Sequence, residues 1–121
     1  MTAPLWVGVG LLGGSATVTR YVVERRIRRS HDSHLPLGTF VINTTGSLLL
    51  GLLTGLALTG DALVLAGAAA IGSYTTFSTW MLESHRLAEE DRVAGAAINV
   101  LLSLVAGVGA AALGHAIGAG A

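Results

Sequence analysis

The chain has neither cysteine nor lysine among its 121 residues, and each absence narrows what it is able to be. Without cysteine there is no disulfide framework, no thiolate zinc knuckle and no thiol nucleophile. Charge is scarce: 12% of residues are charged against 52% hydrophobic, with a mean hydropathy of +0.69, far from an average soluble chain. Convergent histidine and carboxylate sets of the kind a zinc or catalytic site requires are missing from the pattern. So are any larger repeat and any low-complexity linker. The first apolar stretch has no charged n-region and no small-residue cleavage site leading into a soluble domain, so it reads as a span rather than a removable leader. The expectation is a single integral membrane domain over residues 1–121, all-α.

What charge there is sits in a pattern. All seven basic residues are arginine, and Arg20, Arg25, Arg26, Arg28 and Arg29 fall within ten residues. A nucleic-acid patch is set aside because the cluster flanks an apolar span directly, where positive charge controls topology. Four transmembrane helices are expected, at about 4–23, 36–59, 62–84 and 92–118, each near the ~20 residues needed to cross hydrocarbon. Pro36 suits the first turn of the second span, Gly60 its end, and Asp61 an N-cap for the third. The polar connectors, 24–35 and 85–91, must share one side of the bilayer. All the arginine charge beside connectors is on that side and none is opposite, which predicts both termini outside and both connectors in the cytoplasm.

The seventeen glycines recur as small-xxx-small pairs: Gly10 with Gly14, Gly51 with Gly55, Ser103 with Gly107, Gly114 with Gly118. Such pairs let helices approach closely in lipid. GVGLLG at 8–13 matches a dinucleotide fingerprint in letters only, because no strand precedes it and no βαβ unit follows.

Polar residues inside spans carry the functional information, since water is absent there. Asn43, about two turns into the second span, reads either as interhelical glue or as a neutral amide donor for an anion. The stretch GSYTTFSTW at 72–80 places six hydroxyls in nine residues. Gly72 falls near the middle of a ~30 Å hydrocarbon core. A glycine followed by hydroxyls is how a membrane helix interrupts itself, and freed carbonyls at such a break suit a small hard cation; the alternative is a plain kink. Phe77 and Trp80, three apart, share a face, and rings presented edge-on can line a path for a small anion. Arg20 reads as a snorkelling or capping charge. Glu83 and His85 at the end of the third span read as solvated or capping groups. His115 has no evident partner.

GTFVINTTGSLLLG (38–51) and GSYTTFSTWMLES (72–84), with GGSATVTRY (13–21) and LLSLVAG (101–107), resemble the Fluc (CrcB) family of fluoride channels over all four spans. The resemblance implies an antiparallel dimer of four-helix protomers, with the third helix broken at the midplane, two fluoride pathways and one structural, non-transported Na⁺. Carried over, the carbonyls of Gly72 and Thr75 would hold Na⁺ with those of the partner. Asn43, Phe77, Ser78, Thr79, Trp80 and Ser103 would line the fluoride pathway, with Arg20 as a vestibule or capping charge. Three positions depart from the family pattern: Trp80 for phenylalanine, Ser73 for a second glycine, and Asn99 where tyrosine is common. The bulk of Trp80 puts conduction through both pathways in question. The one-sided arginines favour a second homologue of opposite topology over an identical partner.

The implied function is passive fluoride export across the plasma membrane, with no enzyme chemistry. A small proton-coupled multidrug transporter needs an embedded carboxylate, and Glu24, Asp61 and Glu83 all fall at expected span ends. A non-conducting partner subunit, or a scaffold whose polar groups only join helices, remains the other alternative.

Overall fold

In the computed structural model, residues 2–30 and 36–121 are described. Among them there is helix and no strand. Helix α1 covers Ala3–Ser30, 28 residues, or about 42 Å at ~1.5 Å per residue. The expected boundary at residue 23 is overrun because the segment that follows holds no helix breaker: glutamate and arginines are good helix formers. Arg28 and Arg29 in the last turn also complement the helix dipole. The rest of that expected connector, 31–35, lies outside the described residues.

Helix α2 spans Leu37–Gly55, with Pro36 in the N-cap position at φ −78°. It stops short of Gly60. Ala57 takes a left-handed φ of 58° and Gly60 one of 61°, and this double reversal turns the chain within five residues. A left-handed alanine costs roughly 1 kcal/mol, whereas glycine adopts the conformation freely. The N-cap of the next segment is extended Thr59, and Asp61 instead sits in the first turn, where a carboxylate still meets the positive end of the helix dipole.

The third span is assembled from pieces: α3 (Gly60–Leu63), a π-helical stretch (Val64–Ile71), α4 (Gly72–Tyr74) and α5 (Phe77–Glu89). Thr75 and Thr76 are extended, at φ −87°, ψ 163° and φ −149°, ψ 122°. The interruption thus falls three residues beyond Gly72, which keeps helical angles of φ −59° and ψ −37°. Residues 75–76 stand midway along the 30-residue span Gly60–Glu89. The second polar connector shrinks to 90–92, since His85 and Arg86 belong to α5. Helix α6 runs Val93–Ala119.

Among the described residues, three helices are long and apolar enough to cross a membrane: Leu37–Gly55, Gly60–Glu89 and Val93–Ala119. The first expected span, α1, is long enough but is not among them, and its 28 residues include Arg20, Glu24 and four further arginines. The seam between α2 and α6 is built on glycine. A methyl group on Gly51 would overlap the Ala111 carbonyl, one on Gly55 that of His115, one on Gly114 that of Leu48, and one on Gly118 that of Leu52. Partner numbers rise together along this seam, so α2 and α6 run in the same direction, as alternate crossings of a bilayer must. Among the described residues, Gly10 and Gly14 have nothing within 4 Å, so that pair makes no helix contact there. Ile42 is fully buried, while Leu11, Leu49, Val105 and Leu113 stand exposed, the inverse of a water-soluble surface.

Candidate functional site: a clasped break in the third span

Unwinding a helix in an apolar setting strands backbone groups that need new partners. The segment 43–46 of α2 supplies them. The Asn43 amide donates from Nδ2 to the Thr76 carbonyl at 2.8 Å and accepts at Oδ1 from the Thr76 N–H, also at 2.8 Å. The Thr76 N–H, which the break removed from its helical acceptor, is thereby re-paired, and the Thr76 carbonyl, already the first acceptor of α5, gains a second donor. The Thr45 and Tyr74 hydroxyls lie 2.9 Å apart. Gly46 is required by close approach, because a methyl there would overlap the Thr75 side chain. Within VINTTG, then, the asparagine, the second threonine and the glycine each grip one of three consecutive residues, 74 to 76.

The diversion of the Thr76 N–H to Asn43 releases the Gly72 carbonyl from the donor it would have in an unbroken helix. The Thr75 carbonyl accepts from Arg20 Nη1 at 3.3 Å, so the arginine points inward and caps the upstream half-span. Downstream, the chain restarts with Thr76 as N-cap: its Oγ1 accepts from the Thr79 N–H at 3.2 Å. It also lies 3.4 Å from Ser78 Oγ and 3.2 Å from Thr79 Oγ1. The first N–H groups of α5, at Phe77 and Ser78, have no carbonyl one turn earlier in helical register. Together with the positive end of the α5 dipole they form a neutral, anion-friendly terminus.

Asn43, Thr75, Phe77, Trp80 and Ser103 line one cavity of about 410 Å³. Phe77 is 69% exposed in the protomer and meets Trp80 edge to face, with centroids 5.7 Å apart and planes at 84°. Thr79 lines a second cavity, of about 420 Å³, together with Thr39, Glu24, Arg28, Glu83 and Arg86. Ser78 is exposed and lines neither cavity, and Gly72 is exposed on the protomer surface. The nine candidate residues therefore divide: five gather in one cavity, one opens into the charged cavity, and three, Arg20, Ser78 and Gly72, lie outside both.

Several groups sequence reasoning missed or misplaced. Glu83 is neither solvated nor a cap: it lies within α5, half-buried, and accepts from the Thr39 hydroxyl. His85 pairs with Glu89 at 2.9 Å on an exposed face. His115 does have a partner, the Thr54 hydroxyl at 3.3 Å from Nδ1. Since Thr54 donates its own proton to the Gly51 carbonyl, Nδ1 is the donor in that pair. Asn99 is buried and donates to Ser84 Oγ at 2.8 Å. Apart from the i,i+4 pair of His85 and Glu89 within α5, the signal for these was faint, as each pairing joins different helices. Among the described residues no group of three or more His, Asp or Glu gathers as metal ligands.

Apolar helices, one of them interrupted halfway and clasped by polar side chains, define a multi-pass helical membrane protein with a broken span. The comparisons make this specific: the CrcB-like protein family (camphor resistance, CrcB) matches residues 6–115, and the chain belongs to that family. It is 49% identical to a protein named fluoride-specific ion channel FluC 2 from Mycolicibacterium paratuberculosis, over 94% of this chain and 93% of that one. It is 47% identical to FluC 2 of Mycobacterium tuberculosis, over 95% and 91% of the two chains. With the fluoride-specific ion channel FluC 1 of Symbiobacterium thermophilum it shares 41% identity over 95% and 98%.

Proposed function

We propose that the protein is a fluoride-specific channel that lets F⁻ leave the cell passively and so lowers cytoplasmic fluoride. The observation that carries this is the break at 75–76 opening beside a cavity of neutral donors and ring edges. Fluoride is small and costly to dehydrate, and hydroxyl, amide and helix-terminal N–H groups replace water without trapping the ion in a full opposite charge. Phe77 adds the positive edge of its ring while excluding water. High identity to relatives named as fluoride channels supports the same reading.

The functional unit is an antiparallel pair. Gly72 and Phe77 lie exposed near the middle of the span, where a second protomer of opposite orientation would cover them. A structural Na⁺ fits the same place. Gly72 offers a released carbonyl at the protomer surface; Thr75 offers the lone pair that Arg20 leaves. One break presents too few oxygens for Na⁺, and two related by inversion present twice as many. Bound there, the ion supplies a fixed positive charge that holds the two breaks together. Both termini lie outside, and the partner is a homologue of opposite topology; relatives numbered FluC 1 and FluC 2 fit paired paralogues.

Fluoride efflux from proteoliposomes, read with a fluoride electrode, tests the proposal. Efflux well above that of chloride is expected from the chain together with a partner of opposite orientation. Silence both alone and with such a partner refutes it. Reporters fused to the termini decide orientation, and equal numbers of molecules in each direction would rule out the need for a different partner.

A further inference from the structure

Trp80 and Asn99, two positions that depart from the pattern the chain resembles, are bonded to each other. The indole Nε1–H donates to the backbone carbonyl of Asn99 at 3.3 Å. The Asn99 side chain donates to Ser84 Oγ at 2.8 Å, and Ser84 donates to the Trp80 carbonyl at 2.9 Å. These three bonds close a ring between α5 and α6. Phe77, Trp80 and Ser84 fall at i, i+3 and i+7, one stripe of α5, and Asn99 stands one turn before Ser103, which lines the cavity with Trp80. Asn99 is only 5% exposed, and a buried amide in an apolar setting is expensive unless bonded.

From this ring we infer that Asn99 is a positioning residue. Its side-chain amide, tied to Ser84, fixes α6 against α5 so that the Asn99 backbone carbonyl stays over the Trp80 indole N–H; the N–H is thus turned away from the pathway and only the C–H edge of the ring faces the ion. The physical reason is the strength of the donor. An indole N–H free in a dry cavity would hold an anion tightly, whereas conduction needs sites an ion leaves as readily as it enters. With the N–H occupied by a carbonyl, the indole behaves as a larger phenylalanine, braced against Phe77 edge to face. The claim deepens the fluoride-channel proposal and rests on it for its flux readout.

The test uses the full chain, reconstituted with whatever second subunit its flux requires. Trp6→Phe leaves Trp80 as the only indole, since the chain has two tryptophans. In that background Asn99→Leu lowers the fluorescence anisotropy of Trp80 and cuts the ratio of fluoride to chloride flux by roughly tenfold, within the usual range for coupled neighbours. In a Trp80→Phe background the same change at Asn99 has no further effect on the ratio, because Asn99 acts through the indole. An equal fall in both backgrounds overturns the inference, as does unchanged anisotropy. Ser84→Ala, which cuts the same ring by one oxygen atom, carries identical predictions where Asn99→Leu does not fold. Should the unaltered protein conduct no fluoride, the functional proposal fails by itself; anisotropy in the two ring variants then decides positioning alone.

Discussion

The two ends of α2 meet their neighbours in opposite ways. Around Gly51 and Gly55 it lies against α6 with nothing but backbone between, and the contact is specified by missing side chains. Around Asn43 to Gly46 it meets the interrupted span through an amide, a hydroxyl and one glycine, and the contact is specified by donors and acceptors matched to an unwound backbone. The first arrangement is suited to rigidity, because dispersion and close approach hold helices together in lipid without any need for polarity. The second is suited to function: the groups that stabilise the break are the same kind that replace water around an ion. One helix thus anchors the fold with one half and builds the site with the other.

The most severe way to break this comparison is on the glycine seam. Gly51→Leu forces a branched side chain into the Ala111 backbone, which has no flexible end to move aside. Overpacking of this kind costs about 1–3 kcal/mol or more, and the protein is expected to lose monodispersity in detergent and its cooperative melt. A variant that melts normally would mean the seam is looser than its geometry requires.

Next in size is Asn43→Leu, which leaves the Thr76 N–H without a partner and takes from the Thr76 carbonyl its second donor. Each unsatisfied buried group costs roughly 1–3 kcal/mol, lessened in membranes to about 0.6 kcal/mol per bond on average. A melt lowered by about 1–3 kcal/mol is expected, together with loss of fluoride efflux. Normal efflux would separate the clasp from conduction and return Asn43 to plain interhelical glue.

Smaller again is Thr76→Ala, which removes the N-cap of α5 at a cost of about 1 kcal/mol. Thr76→Ser keeps the oxygen and is expected to restore both stability and flux. The smallest effect sharpens the comparison by contrast: Gly14→Ala meets nothing within 4 Å. A melt unchanged or raised within about 1 kcal/mol is expected, since alanine is the better helix residue. A large loss there would reveal a seam on α1 that the protomer does not contain.

Much of the architecture was legible beforehand. Apolar runs gave the second, third and last helices, and the hydroxyl cluster after Gly72 pointed to an interruption in the right span. Boundaries were less legible. A run of arginines reads as a connector by polarity, yet nothing in it stops a helix, so α1 continues to Ser30. Asp61 is a good N-cap by residue type, but the cap is set by which residue takes extended angles, and that is Thr59. The break itself moved from Gly72 to 75–76 because Asn43 selects Thr76 as its partner across 33 residues.

The sequence by itself determined that this chain lives in lipid and that the middle of the third span must part, because hydropathy, glycine spacing and hydroxyl content are local properties. Only the tertiary structure decided which backbone atoms are released and which are held. Asn43 with Thr76, Arg20 with Thr75 and Trp80 with Asn99 are pairings between helices, and their geometry exists only once packing has brought those helices together.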